Sequence, residues 1–448
     1  MKLRRLRSCL IVTFALALSL SQVSLYSQNG KTDLTAAISE DYEYLDALYQ
    51  YLHTHPELSF HEQETAARLA RELRDLNFDV TTNVGGHGLV GVLKNGAGPT
   101  VMIRTDLDGL PVLENTGVPY ASKVKTKDDQ GNEVSVMHAC GHDVHMTVLT
   151  GTARLLAGLK DNWQGTLVVI GQPAEEKGAG AKAMIADGLF TRFPRPDYAI
   201  ALHVSAALPA GTLAYREGYA LANVDAVDIQ VHGIGGHGAY PHTTKDPVVI
   251  AAQIVLALQT IVSREIKPTE PAVVTVGSIH GGTKHNIISD GVHLQLTLRS
   301  YSDQVRAQTI AAIKRITKGI AIAAGLPEDK LPTVSVRDEY TPATYNDPQL
   351  TARLAKSLKP VLGEHNVFAT EPVMGGEDFG RYGRQEPKIP ICMFWLGTVS
   401  QASYNLHKNE GTPLPSLHSS LFAPVPEPTI KTGVKAMTTA ALSLFEKK

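Results

Sequence analysis

Residues 166–176 read TLVVIGQPAEE. Six residues, nearly all apolar or small, run into Gln172-Pro173-Ala174 and then into two adjacent carboxylates, Glu175 and Glu176. A run of that length, without the polar alternation of a half-exposed strand, predicts a strand covered on both faces. Working outward, TVMIRT (100–105) reads the same way and is followed by Asp106 and Asp108, while DYAIALH (197–203) closes on His203. Helical patterns fall between them, over 145–159 and 181–187. Strand and helix in alternation predict an α/β sheet with helices on both faces. Ligands of open α/β sheets gather beyond the carboxyl ends of the strands, which is where these acids and His203 stand.

The flanks complete the plan. A helical pattern over 33–53 precedes Ser59 and Glu62, which read as a capping box for a second amphipathic run ending near Leu76. From about Leu221 the pattern changes. Residues 224–231 alternate like a strand, and Asp246 with Pro247 opens a helix to about Val262. Strands follow over 272–279 and 292–298, Ser302 caps a long helix ending near Gly325, and 333–336 is a last strand. The order βαββαβ is that of a ferredoxin-like unit. The α/β pattern then resumes with a helix over 349–358 and a strand over 389–397. The predicted organisation is a catalytic domain in two parts, 29–220 and 339–448, interrupted by an α+β domain over 221–338.

The 448 residues exceed what one small core organises and predict two or three domains. Hydrophobic residues at 43% and charged residues at 19% exclude a disordered or collagen-like chain. A formal charge of −2 gives no reason to expect nucleic acid or an anionic membrane as partner. Three cysteines do not make a disulfide framework, and seventeen histidines point towards metal or proton chemistry. Residues 1–28 read as a secretory signal peptide, with Lys2, Arg4, Arg5 and Arg7 ahead of a short apolar run, LIVTFALALSL (10–20). That run is short for a bilayer, and no later segment reads as membrane-spanning. The mature protein is expected to be soluble and exported, periplasmic or secreted, with an uncleaved anchor as the alternative. Its removal takes basic residues and no acidic ones, so the mature chain is the more acidic, and it takes Cys9 as well.

The rim chemistry is uneven in strength. Cys140 and His142, two apart, suit a borderline metal such as zinc, although a C-x-H pair arises readily by chance. Adjacent Glu175 and Glu176 in an extended loop would point opposite ways, one towards a metal and one towards the attacking water. The plainer reading of such a pair is a solvated loop. His203 closing an apolar strand reads equally well as a core histidine. His418 lies in a late loop, SLHSS (416–420), while His53, His55 and His61 lie near the first helices and Cys392 sits inside an apolar strand.

Taken with LHTHPELSFHEQET (52–65), RTDLDGLPVLENTGVPYAS (104–122), MHACGHDVHM (137–146), GQPAEEKGAGA (171–181), GGHGAYPH (235–242) and MGGEDF (374–379), these residues form a pattern. From about Leu48 to its C-terminus the chain resembles the dinuclear metal-dependent amidohydrolases. That family includes hippurate hydrolase, bacterial aminoacylases and the plant hydrolases of indole-acetyl–amino acid conjugates, within a wider group of carboxypeptidases and dipeptidases. The resemblance implies a zinc-peptidase-like α/β catalytic domain with an inserted ferredoxin-like lid or dimerisation domain. It implies two divalent metal ions per chain, zinc or manganese. The implied ligands are Cys140, His142, Glu176, His203 and His418, with Cys140 bridging the ions where relatives outside this branch use an aspartate. Glu175 would be the general base and acid, and Asp106 and Asp108 would orient ligands. His237, often supplied by the partner subunit of a homodimer, would polarise the scissile carbonyl. Asn286 and Arg299 would help bind the substrate carboxylate.

Departures from the family pattern are local. Residues 123–136 are longer than the usual link and read as a hairpin at the pocket mouth, turning at Gln130-Gly131-Asn132. Lys284, Ser289 and Leu296 stand where relatives often carry a small residue, a proline and a glycine. The expectation is an exported hydrolase that splits N-acyl amino acids, hippurate-like or related conjugates, into a carboxylic acid and a free amino acid. A metallo-carboxypeptidase or dipeptidase acting on short peptides is the nearest rival, and a non-catalytic binding protein on the same scaffold is another. A disulfide between Cys140 and Cys392 would remove the thiolate ligand.

Overall fold

The computed structural model describes residues 31–445 together with Ser27–Gln28. The signal segment expected over 1–28 lies, but for that pair, outside the described residues. An eight-stranded sheet organises the larger unit. Its order is Val367–Ala369, Leu213–Tyr215, Ile391–Val399, Tyr198–Pro209, Thr100–Asp106, Gly165–Gln172, Leu89–Asn95 and Asp79–Thr82. The central four, from Ile391–Val399 to Gly165–Gln172, run parallel, so their carboxyl ends share one rim. The stretch from Leu167 to Ile170 is apolar because it serves two cores. Leu167 and Val169 enter the core shared with helices Leu34–Thr54, His142–Gly158 and Pro426–Phe445. Val168 and Ile170 enter the opposite core, with Met184 and Phe379. Each such side chain contributes about 1.5–3 kcal/mol when fully enclosed.

The smaller unit has its own core. Strands Ala272–Gly281, Gly291–Ser300, Asp225–His232 and Thr333–Val336 form a four-stranded antiparallel sheet in that order. Helices Pro247–Thr260 and Asp303–Ala323 cover one face through Ile250, Ile254, Leu258 and Ile313. Order and direction are those of the ferredoxin-like unit. The caps act as the sequence suggests: Asp246 accepts from Val248 N at 2.9 Å, and Ser302 from Val305 N at 3.2 Å.

Four expectations are corrected. The helix placed at 145–159 begins at His142, because Gly141 adopts a left-handed conformation that turns the chain into it. The strand placed at 197–203 continues to Pro209. The Ser59/Glu62 capping box does not form. Glu62 makes no capping bond, and Ser59 Oγ donates to Asp108 at 2.6 Å. Finally, Pro247–Glu265 does have the length and apolar character of a membrane span. It is a helix of the smaller unit, packed on that unit's sheet through Ile250, Ile254, Leu258 and Ile261.

Candidate metal centre

Parallel register brings Asp106 level with Gln172, and Arg104 level with Ala201 two residues before His203. The rim therefore presents Asp106, the Glu175–Glu176 segment and His203 side by side. Cys140 and His142 join them from the loop that opens the His142–Gly158 helix. Gly141 between them has φ +76. His418, itself at φ +66, arrives from the late loop and is tied to the cysteine loop by its N–H donating to Ala139 O at 2.8 Å.

The five proposed ligands converge. Cys140 Sγ lies 3.5 Å from His203 Nε2 and 3.2 Å from His418 Nε2. Glu176 Oε1 lies 3.5 Å from His418 Nε2 and 3.8 Å from His142 Nε2. Two overlapping groups result, Cys140–His142–His203 and Cys140–Glu176–His418, which share the thiol. Neither ring nitrogen of buried His142 makes a well-formed hydrogen bond, and Glu176 Oε1 is buried without one. Orphaned polar atoms of this kind call for a partner. Sulfur, imidazole and carboxylate together suit a borderline divalent metal, so the residues fit a pair of divalent ions. His203 Nδ1 stands 2.8 Å from Val204 O, which fixes the tautomer that turns Nε2 towards Cys140. Burial pushes the Cys140 thiol well up, with Glu176 and Glu175 adding to it. A divalent cation inverts that preference and holds the thiolate. Cys140 and Cys392 are both free thiols, Cys392 being buried in Ile391–Val399 as the core reading anticipates.

Glu175 and Glu176 are not in an extended loop. They open a tight turn, closed by Gly178 N donating to Glu175 O, and both carboxylates reach the cluster. His142 Nε2 lies 3.9 Å from Glu175 and 3.8 Å from Glu176. Glu175 faces Glu377 and Asp378 on its other side. Burial, then the Glu377 charge, holds the Glu175 carboxyl well above the ordinary range. Burial also raises Glu176, to about 7, although His142 opposes it.

Asp108 and Asp106 work behind the centre. Asp108 accepts from Glu175 N at 3.2 Å and Glu176 N at 3.0 Å, and stands 3.4 Å from His142 Nδ1. Asp106 accepts from Arg104 and pairs with His145 Nδ1, both at 2.7 Å. His145 stands near His142, but both of its ring nitrogens are engaged elsewhere. Val204 N donates to its Nε2 at 2.9 Å, so Nδ1 carries the proton given to Asp106. Burial lowers His145 to about 4.

Sequence reasoning missed the network behind Glu175. Arg104, wholly enclosed, pairs with Glu377 at 2.8 Å and Asp378 at 3.2 Å, and Gln172 Nε2 donates to Asp378 at 2.6 Å. Its members were signalled only as parts of the RTDLDG, GQPAEE and MGGEDF motifs, with no role attached. His53 is buried between Asp143 at 2.6 Å and Glu114 at 3.1 Å, whereas His55 and His61 are exposed.

A cavity of about 710 Å³ opens on this cluster, lined by Cys140, Glu175, Glu176, His203, His418 and Arg299 among others. Arg299 reaches it from the smaller sheet and donates to Thr297 Oγ1 and Leu298 O. His237 and Asn286 do not line it. They neighbour each other on the exposed Gly236–His237 and Ile287–Ile288 ladder, with Gly238 N donating to Asn286 O at 2.9 Å. Residues 123–136 do form a hairpin, Lys125–Lys127 with Glu133–Ser135. Asp129 at its tip pairs with Lys177 at 2.6 Å, and both line the cavity.

Comparison with known proteins gives the family. Residues 102–420 match Peptidase family M20/M25/M40. Thermostable carboxypeptidase 2 of Saccharolobus solfataricus is 37% identical over 414 residues, 92% of this chain and 98% of that protein. The hippurate hydrolase of Campylobacter jejuni is 38% identical over 334 residues, 73% of this chain and 82% of that protein. A crystal structure of a dinuclear metal-binding M20 peptidase from Bacillus subtilis aligns with a TM-score of 0.74 at 27% identity, covering 91% of this chain and 99% of that one.

Proposed function

The chain belongs to peptidase family M20/M25/M40 and is a metal-dependent hydrolase of amide bonds, and from that premise we propose that it cleaves N-acyl amino acids to a carboxylic acid and a free amino acid. One observation carries the reading: a buried, proton-seeking Glu175 and the guanidinium of Arg299 line the same cavity. When bound, two divalent ions, zinc or manganese, on Cys140, His142, Glu176, His203 and His418 supply Lewis acidity to the amide carbonyl and the attacking water. Glu175 takes the proton of that water and passes it to the leaving nitrogen. Asp108 holds the backbone of Glu175 and Glu176 in place, and Arg299 receives the substrate carboxylate. His237 and Asn286, exposed and away from this cavity, serve the site of a second copy in a homodimer built through the smaller unit, where His237 donates to the developing oxyanion.

The similarity to a protein named carboxypeptidase supports a second reading. A short peptide and an N-acyl amino acid present the same bond and the same terminal carboxylate, so the two readings differ only on the acyl side of that bond. The basic and apolar leader supports export of the mature chain. Turnover of benzoyl-, acetyl- and indole-acetyl amino acids against dipeptides, under zinc and under manganese, separates the readings. Glu175→Gln is expected to lose turnover by a factor of about 10² or more and to keep its metal. Near wild-type turnover in that variant would remove Glu175 from the reaction.

A further inference from the structure

Ser59 and Glu62 have the spacing of a helix cap but are used elsewhere. The first turn of the Gln63–Asp75 helix is capped by Glu57, which accepts from Glu64 N at 3.2 Å and Thr65 N at 2.7 Å. Glu62 is thereby released. It is wholly buried, and its Oε1 accepts the N–H of Ala174 at 2.7 Å. Ala174 directly precedes Glu175 and has φ +47, a left-handed conformation that disfavours any residue with a side chain. The next two amides, of Glu175 and Glu176, are taken by Asp108, which Ser59 fixes in turn. Three consecutive N–H groups are thus held by two carboxylates from distant parts of the chain. The second oxygen of Glu62 is buried without a partner. That arrangement is unfavourable in itself, and an apolar side chain filling the same space would avoid it. What the carboxyl adds is an acceptor at Ala174.

We propose that Glu62 is a positioning residue, which holds the Ala174 peptide left-handed and so fixes the turn that aims Glu175 and Glu176 into the centre. The inference rests on the reading of Glu176 as a metal ligand and Glu175 as the base. Its test is the affinity for zinc and for manganese, read in competition with a chromophoric chelator, alongside turnover of a benzoyl amino acid. Glu62→Ala and Glu62→Asp withdraw the acceptor, while Glu62→Gln keeps an oxygen in its place. The two withdrawing variants are expected to weaken metal binding about tenfold or more, the range for groups that orient ligands, with Glu62→Gln within about threefold of wild type. Adding Ala174→Gly, which takes positive φ without strain, is expected to recover at least about threefold of the loss. Glu62→Asp supplies the result if Glu62→Ala fails to fold. Unchanged affinity in Glu62→Asp, a loss in Glu62→Gln as large as in Glu62→Asp, or no recovery with Ala174→Gly would each overturn the proposal. Metal affinity needs no substrate. A wild type that binds metal and leaves the substrate panel untouched refutes the substrate reading alone, and one that binds no metal refutes both.

Discussion

Gly141 stands between two proposed ligands, and replacing it with alanine tests whether the protein's own packing sets their positions. The backbone there has φ +76, where an L side chain costs about 1–2 kcal/mol. A Cβ built on Gly141 falls 2.6 Å from Val204 Cγ2 and 3.4 Å from Phe422 Cε1. Val204 is fully buried and follows His203 in its strand, so it has little space to yield, and overpacking of this kind costs about 1–3 kcal/mol. Gly141→Ala should therefore destabilise the protein by about 2–5 kcal/mol. Relief of the collision moves Cys140 and His142 against His203, so metal affinity should fall with stability. Urea unfolding in EDTA measures the metal-free part, and repetition at saturating metal measures the linkage. Val204→Ala removes the collision but leaves the backbone cost, so a double-mutant cycle should return a favourable coupling of about 1–3 kcal/mol. A Gly141→Ala stability within about 0.5 kcal/mol of wild type in EDTA, or zero coupling to Val204→Ala, would refute the reasoning.

Two further predictions concern buried charges. Burial alone would lower His53, but hydrogen bonds and charge from Asp143 and Glu114 raise it from 6.5 to about 10. A raised folded-state value means that stability is fully present below about pH 6.5 and is lost as pH rises through about 10, with a ceiling of about 5 kcal/mol. The stability gap between wild type and His53→Gln should accordingly narrow as urea unfolding is repeated from pH 7 to above 10, and a constant gap would contradict the assignment. In the smaller unit, fully buried Asp225 is gripped by Arg306 at 2.6 to 2.9 Å. Arg306→Met should cost about 3–5 kcal/mol in urea unfolding by stranding that carboxylate, and adding Asp225→Asn should restore most of it. An equally unstable double variant would show that the arginine stem, not the charge pair, matters.

What was legible in the sequence was what is local. The TLVVIG run, the caps Asp246 and Ser302 and the βαββαβ order depend on neighbours within a few residues. His203 was visible as a histidine closing an apolar strand, whereas Cys140, His142 and His418 stood out as ligands only through the resemblance to the family. The start of the His142–Gly158 helix was hidden because its first turns are buried all round, which leaves no apolar stripe to read. The Pro426–Phe445 helix escaped for the same reason, since Gly433, Ala436, Ala440 and Ala441 are small and give little periodic contrast. Glu62 was misread because its S-x-x-E spacing is a local pattern, while its partner Ala174 lies 112 residues away. Arg104 meets Glu377 across 273 residues, a pairing that no local pattern announces.

The hidden contacts share one task. Three segments that carry proposed ligands turn on left-handed residues: Gly141, Ala174 and His418. Only the first is a glycine, so the other two conformations must be maintained by their surroundings. Ala174 is held through Glu62, and His418 through the carbonyl of Ala139, next to Cys140. A third tie, Asn115 N to Ser420 O at 2.8 Å, secures the far side of the His418 loop. Glu176, Cys140 and His418 are thus aimed by peptides that are themselves hydrogen-bonded to another ligand loop or to a buried carboxylate. Strain at one turn is therefore borne jointly, and loosening one turn should weaken the others. On that account Gly141→Ala and Glu62→Ala, which lie in separate segments, should perturb metal affinity by amounts that do not add. Two independent loops, by contrast, would give additive losses.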